Sequence, residues 1–142
     1  MVGTRRQARR RRRDREFAAF TAGAAGRLLH LATLLAGDPA DGERLLIAAL
    51  ARTYADWFRL RGDDPYVRTR QELAARFGRR ARRYRRPRRG LLAPLPPAQR
   101  LALVLQLYEG LPAEQTAAHL GLPPEKVRTL CLRALAAVRS TR

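Results

Sequence analysis

The chain has 142 residues, with 30 Lys or Arg against 12 Asp or Glu, so its formal net charge is +18 at pH 7. Its length suits one medium or two small helical domains and excludes a single large core, and its charge favours a polyanionic partner, most often nucleic acid. The lone cysteine, Cys131, excludes a disulfide framework within the chain and argues against a cysteine-rich metal site.

Residues 1–13 carry repeated arginines and almost nothing apolar. Such a segment buries too little apolar surface to offset the entropy lost on ordering, so the sequence predicts a basic arm that is disordered in isolation. In a nucleic-acid-binding protein this arm would hold phosphates without reading sequence. A solubilising tail is the alternative.

From residue 14 the pattern becomes that of an amphipathic helix. Its apolar positions recur at three- and four-residue steps, at Phe17, Phe20, Ala24, Leu28, Leu31 and Leu35, and Gly37 follows as a stop. Arg27 and His30 interrupt the most apolar stretch, residues 17–36, and no convincing cleavage site follows it. We therefore expect no membrane span, no export signal and a cytoplasmic location at the nucleoid.

Two further helices are predicted before residue 86. Asp38-Pro39 and Asp64-Pro65 each place a capping side chain before a proline suited to a first helical turn. The second helix carries Leu46, Leu50, Tyr54, Trp57 and Phe58, and the third, from about residue 65 to residue 84, carries Tyr66, Leu73, Ala74 and Phe77. Together the three helices form a predicted module over residues 14–85.

The third helix ends in a strongly basic segment. Arginines hold phosphates and aromatic rings stack on unpaired bases, so this segment is a candidate contact with melted DNA. Its members are Arg79, Arg80, Arg82, Arg83 and Tyr84. The alternative is a solvated basic helix end that complements the helix dipole.

Residues 86–96 are rich in Arg, Pro and Gly and are predicted to be a linker to a second module, residues 97–142. That module begins with a helix at Pro97. A short helix with Pro112 at its first position then stops at Gly121, which suits the left-handed conformation of a sharp turn, and Pro124 opens the next helix. This order predicts a helix-turn-helix.

The last helix combines an apolar stripe with a polar face. Val127, Cys131, Ala134 and Val138 fall at i, i+4, i+7 and i+11 and predict its buried side. In a helix-turn-helix the start of the second helix meets base edges. The candidate DNA contacts are Lys126, Arg128, Thr129 and Arg133, with Gln115 of the preceding helix. A helical hairpin with a solvated outer face is the alternative.

The sequence offers little for catalysis. His30 and His119 have no Cys or carboxylate cluster beside them in the sequence, and no glycine-rich phosphate loop is present. We therefore expect a protein that is not an enzyme and that uses neither a cofactor nor a bound metal.

These features resemble bacterial sigma factors of the extracytoplasmic-function type, particularly actinobacterial ones. In the first module the similar tracts are residues 27–38, 48–57 and 63–68. In the second they are Leu95-Pro96-Pro97, Tyr108-Glu109-Gly110-Leu111, Ala117-Ala118-His119-Leu120-Gly121 and Val127-Arg128-Thr129. The resemblance implies an all-α protein whose first module docks on core RNA polymerase and captures melted promoter DNA, while its second module reads duplex DNA.

The resemblance also locates the polymerase contact and a possible protein partner. It assigns the contact to Arg44, Leu45, Ile47 and Leu50, although this chain has Arg44-Leu45-Leu46-Ile47 where the family has an acidic residue, Leu, Val and Gln. In the last helix, Leu130, Leu132 and Leu135 stand where basic or polar residues are common, which favours a protein surface. An anti-sigma or other protein is therefore an expected partner. A degenerate sigma-like adaptor and a general nucleic-acid-binding protein remain alternatives.

Overall fold

A computed structural model describes residues 2–84 and 90–140. Its six α-helices are α1 (Val2–Ala36), α2 (Pro39–Ala55), α3 (Pro65–Arg79), α4 (Pro97–Leu103), α5 (Ala113–Leu120) and α6 (Pro124–Ser140). Short 3-10 turns cover Trp57–Arg59 and Ala81–Tyr84, and one π-helical turn, Val104–Tyr108, continues α4. Because these ranges contain no strand, the predicted all-α class is confirmed.

The predicted starts of α2 and α3 are confirmed by their caps. The Asp38 carboxylate accepts a hydrogen bond from the backbone N–H of Asp41 at 3.1 Å, and the Asp64 carboxylate accepts one from the N–H of Tyr66 at 2.9 Å. A proline occupies the first turn of each helix. Side-chain capping of otherwise unpaired N–H groups therefore sets where both helices begin.

The basic arm differs from its prediction, since α1 begins at Val2 and continues through residue 13 without a break. Arginine is a good helix former, so the segment extends a helix that packing has already nucleated. The guanidinium of Arg9 lies 4.0 Å from the ring centre of Phe58, and that of Arg13 lies 4.3 Å from the ring centre of Tyr54. These cation–π contacts hold the arginine-rich helix on the end of α2 and on the Trp57–Arg59 turn that follows it.

The largest apolar cluster contains residues of both modules. Leu28, Leu31 and Leu35 of α1 are buried in the same cluster as Phe77 of α3 and Leu105 after α4. Residues 86–89 of the predicted linker, and Arg85 before them, lie outside the described residues. The rest of it forms turns that bury Leu95 completely. The second module is therefore packed against the first rather than suspended from it.

Arg100 of α4 is a fully buried cation at the junction of the modules. Its guanidinium donates hydrogen bonds to the carbonyl oxygens of Leu35, of Tyr84 at 2.6 Å and of Leu95 at 3.1 Å. Burial lowers the pKa of Arg100. These bonds pair the two terminal nitrogens of the guanidinium, whereas its buried Nε has no hydrogen-bond partner among the described residues. Because a buried charge is costly without hydrogen bonds, the three carbonyls fix the ends of α1 and of the Ala81–Tyr84 turn relative to α4.

Helix α1 also bears on the expectation that no segment spans a membrane. Judged by length and composition alone, the helix Gly3–Ala36 contains a window that is long and apolar enough to cross a membrane. This differs from the expectation that no segment can do so. Arg27 and His30 interrupt the stretch but do not make it too polar. Leu28, Leu31 and Leu35 are covered by the protein, whereas only 22% of the apolar window that they belong to is buried.

Candidate nucleic-acid interface

The helix-turn-helix forms where the sequence predicts it. Gly121 ends α5 with φ of 66°, a left-handed conformation that an L side chain rarely adopts. Leu122 then packs against the buried cluster of α5 and α6. Pro112 lies one residue earlier than predicted, as the residue before α5 rather than its first. The turn therefore fixes the angle at which α6 leaves α5.

The inner side of α6 follows the predicted stripe. Val127, Cys131 and Ala134 are buried, and Val138 packs half-buried beside them. Burial raises the pKa of the Cys131 thiol, so the group remains protonated near neutral pH. With these positions facing inward, the helical repeat decides which residues face solvent.

Three of the predicted DNA contacts form one exposed strip on α6. Lys126, Thr129 and Arg133 follow at i, i+3 and i+7, opposite the buried stripe. The Thr129 hydroxyl donates to the carbonyl of Glu125 at 3.1 Å. Within the described residues, neither Lys126 nor Arg133 has a carboxylate at ion-pair distance. Both cations are therefore available to an anionic partner.

Arg128 and Gln115 lie apart from this strip. The guanidinium of Arg128 is 3.1 Å from the carboxylate of Glu114 on α5, and both side chains are exposed. Such an exposed pair is worth about 0–1 kcal/mol, so a phosphate can replace the carboxylate at little cost. Gln115 instead lines a cleft between α5 and α3, together with His119 and Gln71.

The leucines of α6 do not form the predicted apolar face. Leu130 and Leu135 are half-buried and pack on the core clusters, while Leu132 is 68% exposed. The difference arises because Leu130 and Leu135 flank the buried stripe closely enough for their longer side chains to reach it. One leucine, not three, is offered to solvent by this part of α6.

The basic segment after α3 is exposed at its arginines but not at its aromatic residue. Arg79, Arg80, Arg82 and Arg83 are exposed. Tyr84 is only 5% exposed, and its ring stacks on that of Phe77 with centroids 5.1 Å apart. The prediction that Tyr84 stacks on unpaired bases is therefore wrong. Its position seven residues after Phe77, on the same helical face, was the available signal.

The predicted polymerase contact is likewise only partly on the surface. Leu45 is 4% exposed and belongs to the core, and Leu50 packs half-buried against that core. Arg44 is exposed, and Ile47 is 58% exposed. The prediction was wrong to include Leu45, because Leu45 lies on the face of α2 that meets α1 and α3. The side chain of Leu50 is only partly exposed to a binding partner.

A buried cluster around Glu109 was missed by sequence reasoning. The Glu109 carboxylate accepts hydrogen bonds from Arg27 and Arg70, each at 3.3 Å, and from the Tyr66 hydroxyl at 2.9 Å. Burial, and after it the hydrogen bond to Glu109, raises the pKa of Tyr66 to about 12. The cluster links α1 and α3 to the end of the π-helical turn. Nothing local in the sequence marks it, because its members lie far apart along the chain.

The two histidines occupy different surroundings. The ring of His30 makes an edge contact with Tyr108, with centroids 5.0 Å apart. Burial lowers the pKa of His119, and the charge of Arg70 lowers it further. His30 is therefore an exposed residue in contact with one ring, whereas His119 is half-buried.

Residues 89–138 match the family described as sigma-70, region 4. The matched segment contains α5 and all but the last two residues of α6, so this part of the chain is sigma-factor-like, with a helix-turn-helix of the DNA-binding kind. A chain from the co-crystal structure of the anti-anti-sigma factor PhyR with the anti-sigma factor NepR from Bartonella quintana is similar over 87% of this chain. Its TM-score is 0.63 at 19% sequence identity, a likeness of fold.

The similarity covers 49% of the chain in that co-crystal structure, so this protein spans about half of its length. No curated protein matches the chain. The sigma region 4 match and the shared fold thus cover both modules, the first by structure alone and the second by sequence as well.

Proposed function

We propose that this protein is a sigma-factor-like transcription initiation protein that binds promoter DNA through α6 and core RNA polymerase through its first module. The observation that carries the proposal is the exposed strip of Lys126, Thr129 and Arg133 on the second helix of the sigma region 4 match. A protein with this role works in the cytoplasm at the nucleoid, without cofactor or metal.

In this proposal the N-terminal half of α6 enters the major groove. Lys126 and Thr129 then meet base edges, while Arg133, two turns later, lies against the phosphates. Arg128 exchanges its exposed pairing with Glu114 for a phosphate oxygen. The excess of basic residues over the whole chain supports this by steering the protein towards DNA.

The polymerase contact is proposed for the exposed positions of α2, Arg44 and Ile47. An arginine and an isoleucine side by side on a helix surface suit a protein interface, since the isoleucine supplies an apolar contact and the arginine a directional charge. We further propose that the protein is of the extracytoplasmic-function type, on the sequence resemblance of both modules.

A second function, that of a sigma-like adaptor acting on a protein partner, is favoured by the closed packing of the modules. The Glu109 cluster and Arg100 hold the region 4 match against the first module, so both modules present one continuous surface. The co-crystal structure with the similar fold is that of an anti-anti-sigma factor with an anti-sigma factor. An anti-sigma protein is therefore the partner that we propose for this second function.

The test is transcription of a genomic-fragment library by core polymerase of the host bacterium, with and without the protein. Transcript starts that share a two-part upstream motif are expected. They should be lost with Lys126→Ala and Arg133→Ala but kept with Arg139→Ala, which removes an exposed charge from the end of the same helix. If no new starts appear while a control sigma factor remains active, the adaptor function replaces the first proposal.

A third possibility, general nucleic-acid binding, makes a different prediction. The affinity for DNA would then fall steeply as the salt concentration rises. It would also be the same for the selected promoter as for a scrambled duplex. Measuring that ratio with the same three variants separates base reading from charge, because a base contact is worth about 1–3 kcal/mol on the correct sequence.

A further inference from the structure

The structure gathers arginines from α2, α3 and the following turn around one small pocket. Its basic lining is Arg44, Arg76, Arg80 and Arg83, and its apolar lining is Leu45, Ala48 and Tyr84. The sequence assigned Arg44 and the later arginines to different partners. In the folded protein they surround the same space.

The pocket carries more positive charge than its own carboxylate neutralises. Asp41 is the one acidic residue among the described residues that line it. Asp41 lies 3.5 Å from Arg44 and 3.7 Å from Arg83, both long for ion pairs. Arg76 pairs outside the pocket with Glu72 at 2.9 Å, and Arg80 has no carboxylate at ion-pair distance in the described part of the chain. Its cations are thus incompletely paired.

The size of the pocket limits what it can hold. Its volume is about 40 Å³, roughly the space that three water molecules fill. This volume suits one compact anionic group better than a base or a whole nucleotide. Guanidinium groups bind such oxyanions through paired, charge-assisted hydrogen bonds, and the apolar lining strengthens those bonds by excluding water.

We propose that this pocket binds a single phosphate group, and that this group is a backbone phosphate of bound DNA. The assignment of this phosphate to DNA rests on the proposed function. The phosphate displaces the Asp41 carboxylate from Arg83, whose side chain is more than half exposed, so little pairing energy is lost. Arg44 stays beside Asp41 and remains available for the proposed polymerase contact. DNA is then held at two places, by α6 and by this pocket.

The principal test compares two double variants of equal charge. Arg80→Ala/Arg83→Ala removes pocket arginines, whereas Arg79→Ala/Arg82→Ala removes exposed arginines of the same segment that do not line the pocket. Fluorescence anisotropy would give the affinity for a mixed-sequence duplex at several salt concentrations. We expect the pocket variant to bind about tenfold more weakly and to lose about 0.9 from its salt slope, the value for one phosphate.

Equal losses in the two double variants would overturn the pocket, since net charge would then explain both. A lysine variant, Arg80→Lys/Arg83→Lys, keeps the charge and the fold but removes paired hydrogen bonding. It should also bind more weakly than the wild type. Unchanged affinity of the lysine variant would contradict a geometric phosphate site. Circular dichroism melts identify any variant that fails to fold.

The source of the phosphate is tested by thermal shift with inorganic pyrophosphate at constant ionic strength, with chloride as control. If pyrophosphate stabilised the wild type but not the pocket variant, the phosphate site would be supported. A free phosphate would then be a ligand of the pocket as well as the DNA backbone. If only DNA binding differs, the ligand is the backbone phosphate alone. If polyglutamate displaces DNA as well as pyrophosphate does at matched charge, a carboxylate partner replaces phosphate and the proposal fails.

These outcomes are distinct from failure of the proposed function. The pocket is read from the salt slope on a duplex of arbitrary sequence. The α6 strip is read from the preference between promoter and scrambled sequence. If the protein showed no sequence preference but the two double variants still differed in salt slope, the proposed function would fail and the pocket proposal would be supported.

Discussion

The carboxylate of Glu109 lies 3.3 Å from the guanidinium of Arg70 and is fully shielded from solvent, although the two residues belong to different modules. The Tyr66 hydroxyl donates to the same carboxylate at 2.9 Å. Because hydrogen bonds to a buried charge are stronger than those in water, this contact stabilises the closed arrangement of the modules. Its removal tests how much of the fold depends on that closure.

Glu109→Gln should lower the free energy of unfolding by about 3 kcal/mol, because Arg70 would remain buried without a counter-charge. Urea denaturation measures the change. Glu114→Gln is the matched control, since it breaks the exposed pair with Arg128 and should change stability by less than about 0.5 kcal/mol. Similar losses in both variants would mean that burial of Glu109 adds nothing.

Arg100→Leu should destabilise the protein by about 3 kcal/mol or more, because the buried carbonyls of Leu35, Tyr84 and Leu95 lose their donor. Arg100→Lys retains a charge but not the planar fork, so we expect an intermediate loss. Urea midpoints with unchanged slopes would establish the order. A leucine variant as stable as the wild type would mean that an apolar side chain replaces the guanidinium without penalty.

The Gly42→Ala variant should separate α1 from α2. A Cβ at position 42 would lie 2.7 Å from Thr33 Oγ1 and 2.8 Å from its Cα, and a backbone atom of another helix has no freedom to move aside. Overpacking of this kind costs about 1–3 kcal/mol. Thermal unfolding followed by circular dichroism measures the effect.

Gly23→Ala is the control for that variant. Nothing lies within 4 Å of a Cβ at position 23, on the exposed side of α1, so the substitution should instead stabilise the helix by up to about 1 kcal/mol. If alanine at both positions had the same effect, close approach of the helices at Gly42 would be contradicted.

Stability should fall between pH 10 and pH 12 because of Tyr66. Its pKa is raised from 10.0 to about 12 in the folded protein, so the folded state binds more protons than the unfolded chain in that interval. The stabilisation is complete below the unfolded pKa and is lost as pH rises towards the folded one. For a fully buried group the free energy of unfolding would fall by about 1.4 kcal/mol per pH unit in this interval. The partial exposure of Tyr66 makes the decrease smaller.

Tyr66→Phe removes the titrating group and should flatten the decline over the same pH interval. Urea denaturation at several pH values gives the slopes, and phenolate absorbance follows the ionisation directly. If the stability of the wild type and of the variant fell in parallel with pH, the effect would belong to the other tyrosines.

The sequence by itself determined the helical frame of this protein. The caps at Asp38 and Asp64, the left-handed turn at Gly121 and the buried stripe of α6 depend on interactions within a few residues, which local composition and spacing reveal. The exposure of Lys126 and Arg133 follows from the same periodicity. Their contact with DNA stays a prediction.

Only the tertiary structure decided which polar and aromatic groups are enclosed. Tyr84 is buried although it follows the end of α3, and Glu109, Arg100 and the arginine pocket all join residues distant in sequence. The arm was misjudged for the same reason, since its helix is anchored by Phe58, far along the chain. Such contacts form when helices pack, and whether an arginine meets solvent, a carbonyl or a carboxylate depends on what packing brings beside it.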